Sequence, residues 1–325
     1  MKIVNYQLSI INYKMYAIGI DIGGTNTDIG LVSPSGEVVA RKNLPTAQYS
    51  DANLYADDLA KTIQELIAEQ KVEVKGIGIG APNGNFYTGC IENAPNLNMK
   101  GNIYLAKMME ERLHLPAVIT NDANAAAYGE MIYGGAKGMK NVIMFTLGTG
   151  VGSGIIVDGK LLYGHDGFAG ELGHTIIFPD GRDCKCGRKG CLEQYTSAGG
   201  IRKTCLDMMA QDPYYDGVLS KVPAEEIDSK MIGDAANAGD ELALRVFEYT
   251  GNILGLAMAN AVAFSSPEAV FLMGGPVKAG KVLLDPVMKS FDHNSLENYR
   301  GKVKVMVSQL KQNDVAILGA AALVS

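Results

Sequence analysis

The chain has 325 residues, 47% of them hydrophobic, which is enough apolar side chain for two buried cores. A net charge of −6 and a pI near 5.3 supply no basic stripe to neutralise a phosphate backbone, which argues against nucleic acid and for a small-molecule partner. Five cysteines, no N-terminal signal pattern and apolar runs well short of the ~20 residues of a membrane span set the expectation of a cytoplasmic protein without membrane contact.

Residues 1–14, "MKIVNYQLSIINYK", precede a second methionine, Met15, directly before "YAIGIDIGG". They read either as an extension ahead of a start at Met15 or as an extra edge strand or mobile arm. "YAIGIDIGGTNTDIGLVSPSGEVVARKNL" predicts three strands joined by a Gly-rich turn and by "SPSG", a β-meander. A helix follows over "DANLYADDLAKTIQELIAEQ", with Leu54, Leu59, Ile63, Leu66 and Ile67 at helical spacing, and then the strand "VKGIGIGAP". "LAKMMEERLH" is a second helix, "PAVITN" a buried strand, and "DANAAAYGEMIYG" a third helix with Asn121 or Asp122 as its N-cap.

At "NVIMFTLGTGVGSGIIVDGKLL" the pattern restarts with another strand pair linked by a glycine turn, so the chain reads as two related halves. Helices fill the stretch to "DELALRVFEYTGNILGLAMANAVAF"; the strand "EAVFLMGG", a helix, the strand "VKVMVSQL" and the apolar helix "DVAILGAAALV" complete it. No Pro/Ser-rich linker separates the halves, which places a hinge near residues 121–135 inside a compact molecule.

"DIGGTNTDIG" puts the Asp21 carboxylate at a strand end and Gly23, Gly24 and Thr25 in the turn that follows. Glycines let backbone N–H groups approach phosphate oxygens, and a carboxylate beside phosphates implies Mg²⁺. A plain hairpin turn is the simpler reading. "LGTGVGSG", with Gly148, Thr149, Gly150 and Gly152, repeats the arrangement, so two turns could clamp a triphosphate. Gly274 and Gly275 form a third glycine pair after a strand, suited to an adenosine contact, and no G-x-x-x-x-G-K-[ST] motif is present.

"DIGGTNTDIG", "ITNDANAAAYGE", "LGTGVGSG", "GELGH", "CKCGRKGCLE" and "EAVFLMGG" together resemble, in order and spacing, the ROK family of bacterial sugar kinases over residues 16–325. The resemblance implies an α/β protein of the two-domain actin-like ATPase (ribonuclease H-like) fold, with duplicated mixed sheets around a central cleft. Its smaller domain would comprise 15–121 with 312–325, and its larger domain 122–311. It implies ATP and a hexose as substrates, Mg²⁺, and a homodimer. It also makes Asp122 the catalytic base for the sugar 6-hydroxyl, a role that suits a carboxylate between a buried strand and a helix at the domain junction, although an Asp N-cap alone would look the same. Asn96, Asn121, Asp122, Glu171, His174 and Glu193 align with residues that hold hexose hydroxyls. One departure is that the family often follows "PNL" with Gly-Trp, whereas this chain reads "NLNMKGN" and has no tryptophan, so the wall of the sugar pocket is not specified.

Cys184, Cys186 and Cys191 form C-x-C-x₄-C, with His174 ten residues upstream. These are four soft and borderline ligands of the kind tetrahedral zinc prefers, with no open position for water, hence a structural site. A disulfide is disfavoured by an odd thiol count in a reducing compartment. The expected reading is an ATP-dependent glucokinase. The alternatives are an N-acetylglucosamine or N-acetylmannosamine kinase, a fructokinase, a sugar-binding protein without catalysis, and a sugar-responsive repressor. Such a repressor would carry a helix-turn-helix segment, a pattern residues 1–14 lack.

Overall fold

The computed structural model describes residues 15–311 and 313–325; the reading of residues 1–14 lies outside them. β1 (Tyr16–Ile22), β2 (Thr27–Val32) and β3 (Val38–Leu44) form the expected antiparallel meander. α1 (Ala52–Gln70) is started by the Asp51 carboxylate, which accepts the N–H groups of Asn53 and Leu54. Leu59, Ile63 and Leu66 are buried as the spacing predicts, but Leu54 is 62% exposed. At that first turn the inward position belongs to Tyr55, whose hydroxyl shares a 2.7 Å hydrogen bond with Thr27 and can therefore be buried without loss.

β4 (Val74–Ala81) runs parallel to β1. β5 (Gly84–Asn85), β6 (Cys90–Glu92) and β7 (Asn102–Ile103) make a small antiparallel sheet that sequence patterning had not separated from loop. α2 (Leu105–Leu113) leads to β8 (Ala117–Asn121), parallel to β4, and then to α3 (Asp122–Tyr133). The second half begins with β9 (Val142–Leu147), β10 (Val151–Val157) and β11 (Lys160–Leu161). Four helices follow, α4 (Glu193–Thr196), α5 (Ala198–Gln211), α6 (Ser229–Asn237) and α7 (Glu241–Ser265). β12 (Ala269–Gly274), α8 (Lys281–Asn294), β13 (Lys304–Val307) and α9 (Val315–Ala322) complete the chain.

The sheets are ordered β3-β2-β1-β4-β8 and β11-β10-β9-β12-β13. Each half thus places its third, second, first, fourth and fifth strands side by side, so the duplication expected from the glycine turns is one of topology. Each sheet has its own core, with Ile20, Leu59 and Ile79 in the first and Phe145, Phe247 and Leu272 in the second.

The two halves are locked by exchanging their last helices. α3, which follows the first sheet, packs on β9 and β10 of the second; α9, which follows the second sheet, packs on β1 and β4 of the first; and the two helices pack on each other. Absent side chains make this possible. A Cβ on Gly78 would enter the Ala320 carbonyl of α9, and one on Gly129 would meet the Cα of Gly319 at 2.7 Å. Among the described residues no helix is long and apolar enough to cross a membrane.

Candidate active site

The helix exchange puts the start of α3 between the sheets. Asn121 is the N-cap, its Oδ1 accepting the Ala123 N–H at 2.8 Å, and the Asp122 carboxylate accepts the same N–H at 2.8 Å. Asp122 is open to solvent on its cleft side yet surrounded by protein on the others, and this enclosure raises its pKa above the ordinary carboxylate value. Asp21, at the end of β1, lines the same cavity of about 260 Å³, together with Thr146, Met273, Gly274 and Val315. Burial, and then the neighbouring charges of Asp122 and Asp28, push Asp21 up to about 6. A cavity floored by two carboxyl groups that repel each other favours a cation between them and the phosphates of a ligand.

The first glycine turn is closed by the Gly23 N–H donating to the Asn26 carbonyl at 2.9 Å. Thr25 is exposed in it, and a Cβ on Gly24 would meet the Asn96 carbonyl at 2.7 Å, so Asn96 stands beside this turn. The second is closed by the Gly148 N–H on the Gly150 carbonyl at 2.9 Å. Gly148 and Thr149 are exposed, and a Cβ on Gly148 would meet nothing within 4 Å, so this turn offers open backbone to the cleft. Gly152 lies beyond the turn, inside β10, where its missing side chain admits Ala123 of α3 at 2.8 Å. Its missing side chain therefore sets the spacing between β10 and α3. Gly274 ends β12 at a φ of 114° with no room for a Cβ beside the Leu147 carbonyl. Gly275 opens into a neighbouring groove of about 240 Å³ shared with Ser229, Lys230 and Asp234 of α6. The α6 wall, Thr146 and the α9 residue Val315 carry no local motif, and sequence reading missed them.

The third group comes from the segment between β11 and α4. Ser153 of β10 donates from Oγ to the Gly170 carbonyl and accepts the Leu172 N–H, fixing the turn that carries Glu171 and His174. Burial raises the Glu171 pKa, His174 opposes this, and the charges of Asp122 and Glu193 reinforce it, so these four side chains face one another electrostatically. Glu193, at the start of α4, accepts the Val151 N–H on Oε2 at 3.0 Å. Its other oxygen lies 4.0 Å from Cys184 Sγ.

His174, Cys184, Cys186 and Cys191 bring one ligand atom each within 4.8 Å of one another. Cys184 Sγ is 3.8 Å from His174 Nδ1, and Cys186 Sγ is 3.6 Å from Cys191 Sγ. Tetrahedral zinc at about 2.3 Å from each sulfur sets sulfurs about 3.8 Å apart, so the donor set fits that ion. All five cysteines are free, and Cys90 and Cys205 are buried away from the cluster. A hydrogen bond from Arg188 pulls the Cys186 thiol down to about 6, whereas burial pushes Cys191 up to about 12. A divalent cation among them would favour three thiolates at once.

Two sheets of identical strand order, joined by exchanged helices and facing each other across an acidic, glycine-lined cleft, define the actin-like ATPase fold. The ROK family pattern matches residues 17–325, and the chain belongs to that family. It is 34% identical to a glucokinase of Halalkalibacterium halodurans over 94% of either chain. It is also 30% identical to the DNA-binding transcriptional dual regulator NagC of Escherichia coli, over 96% of this chain and 75% of that one. Among solved structures it is similar to a ROK family glucokinase from Streptomyces griseus, determined in complex with glucose and AMPPNP. That similarity has a TM-score of 0.77 and 32% identity, covering 95% of this chain and 98% of that one.

Proposed function

We propose that the protein is an ATP-dependent hexokinase that phosphorylates glucose at its 6-hydroxyl. The observation that carries this reading is the shared cavity in which Asp122, from the exchanged helix, meets Asp21 of the first sheet and the Gly274 end of the second. The sugar hydroxyls are held by Asn96, Asn121, Glu171, His174 and Glu193, and the triphosphate lies between the two glycine turns. Asp21 would hold Mg²⁺, which would neutralise charge on the transferring phosphoryl group. Asp122 accepts the 6-hydroxyl proton as that oxygen bonds to the γ-phosphorus and the bond to ADP breaks. Its raised pKa makes it a stronger base than an ordinary carboxylate.

Zinc on His174 Nδ1 and the three cysteines is structural in this reading. His174, held by one ring nitrogen, would then be free to offer the other to the sugar in a fixed orientation. The smaller domain, 15–121 with 312–325, and the larger, 122–311, close on the substrates, a division supported by α9 lying on the first sheet. The proposed setting is a homodimer in the cytoplasm. The test is ADP release with glucose, N-acetylglucosamine, N-acetylmannosamine, mannose and fructose. Turnover of glucose with the highest kcat/KM supports the reading; preference for another sugar reassigns the substrate, and no ADP release with any of them removes the kinase.

A further inference from the structure

The halves meet again away from the exchanged helices. The turn between β5 and β6 is fixed to the first sheet: β5 packs on β8, and Gly84 leaves no room for a Cβ beside the Thr120 carbonyl of that strand. The loop over residues 163–171 is fixed to the second sheet at both ends. The Leu162 N–H donates to the Ile155 carbonyl of β10 at 2.8 Å, and Ser153 of the same strand bonds the Gly170 carbonyl and accepts the Leu172 N–H at 3.1 Å. Three side chains of the turn reach this loop. Asn85, 2% exposed, donates from Nδ2 to the Asp166 carbonyl at 2.7 Å. The Tyr87 hydroxyl donates to the Gly164 carbonyl at 2.9 Å, and the Phe86 ring stacks on Tyr163 with centroids 4.2 Å apart and 6° between the planes.

The loop depends on these contacts for its shape. Gly164, Gly167 and Gly170 have φ of 73°, 94° and 94°, and glycine at such positions leaves the backbone free to take other paths. Within the loop, the Ala169 N–H donates to the Tyr163 carbonyl at 3.1 Å and closes its base. Its crown is held from the other half, where Gly167 leaves no room for a Cβ beside the Asn85 amide. Glu171 follows directly, and the His174 N–H donates to its carbonyl at 3.0 Å, so a shift of the loop is passed to both side chains. Asn121 ends β8, the strand on which the turn packs.

We propose that Asn85 is a positioning residue for the sugar site, holding Glu171 and His174 of the second half at a set distance from Asn121 of the first. This role rests on the kinase reading above, which supplies the sugar. An amide suits the place because it is donor and acceptor at once. Its Oδ1 accepts the Tyr87 N–H at 2.9 Å and shapes its own turn, while Nδ2 crosses to the loop. Aspartate would keep the first bond and lose the second.

The experiment compares Asn85→Asp, Asn85→Ala and Tyr87→Phe in the full chain, first by hydrogen exchange without ligands. Asn85→Asp should speed exchange at Ala169 and His174 by at least ~10-fold, with β4 and β9 unchanged, and Asn85→Ala should match it. Unaltered exchange in Asn85→Asp would show that the side chain serves only its own turn, and acceleration spread over both sheets would show general loosening; either overturns the proposal. If neither Asn85 variant folds, Tyr87→Phe, changed at a side chain that is 58% exposed, decides the matter. It should speed exchange at the same two amides by at least ~3-fold, and no acceleration there would overturn the proposal. In kinetics the folded variants should raise glucose KM by at least ~5-fold with KM for ATP within ~2-fold, because the phosphate turns are not touched. Equal rises in both constants, or a rise in neither, would count against a role at the sugar. Absence of glucose turnover in the unaltered protein would fault the kinase reading, and the exchange result then decides by itself whether Asn85 holds the loop.

Discussion

Glu193 Oε2 accepts the Val151 N–H at 3.0 Å, so the residue two positions after the last cysteine also holds the second glycine turn. The Ala198 N–H, at the start of α5, donates to the Gly148 carbonyl at 2.9 Å and ties the same segment to the turn again. The cysteine cluster and the proposed phosphate cradle are therefore one mechanical unit.

Metal loss should consequently reach both substrates. Purified protein should carry about one zinc per chain, and Cys184→Ser should raise KM for ATP as well as for the sugar. Unfolding should not follow at once, because Arg182 independently pins the loop through the Gln194 and Gly200 carbonyls and Asp207. Metal analysis and two-substrate kinetics check this, and a Cys184→Ser variant with ordinary KM for both substrates would refute it.

Asp122→Asn should keep glucose binding and lower kcat by at least ~10²-fold, since the amide preserves shape and capping but accepts no proton. In the unaltered enzyme the acid limb of kcat/KM should lie above the ordinary carboxylate range, because enclosure raises the Asp122 pKa and the base is needed ionised. A profile flat down to pH ~4 would remove Asp122 as the titrating base.

Asp21→Asn should stabilise the fold at neutral pH while impairing turnover. Folding raises the Asp21 pKa from 3.8 to about 6, so the ionised form is disfavoured in the folded state. This cost is absent below the unfolded value and is complete above the folded one, so the gain should grow as pH rises from 4 to 7. Solvent reaches part of the group, which limits the gain to about 1–2 kcal/mol. Thermal melts at pH 4 and pH 8 measure it, and equal melting temperatures at pH 8 would contradict the argument.

Gly319→Ala should destabilise by about 2–4 kcal/mol, because the added methyl would meet the Ala125 carbonyl at 2.5 Å between two exchanged helices that cannot separate without leaving their sheets. Chemical denaturation gives the value, and a loss under ~0.5 kcal/mol would show the helix crossing to be looser than described.

Local patterning settled the long strands of the two five-stranded sheets, though not β5 to β7, and it settled the glycine turns and the cysteine cluster, because period-two apolar spacing, glycine pairs and C-x-C-x₄-C each act over fewer than about ten residues. Asp122 was legible as a carboxylate between strand and helix, and the repeated strand-turn-strand units announced two halves. Which helix lies on which sheet was not legible. α9 is apolar on every side and α3 is largely alanine, and nothing in "DANAAAYGE" or "VAILGAAA" says they trade partners. That depends on where Gly19, Gly78, Gly129 and Gly319 leave space, a property of surfaces brought together from distant parts of the chain. The same holds for Leu54, turned outward beside an inward Tyr55, and for Glu130, an ordinary helical glutamate until Gly135 and Gln309 arrive at its carboxylate. Spacing fixes what a residue can do within its own element; only the packed chain decides which donors reach it and how much water is left beside it.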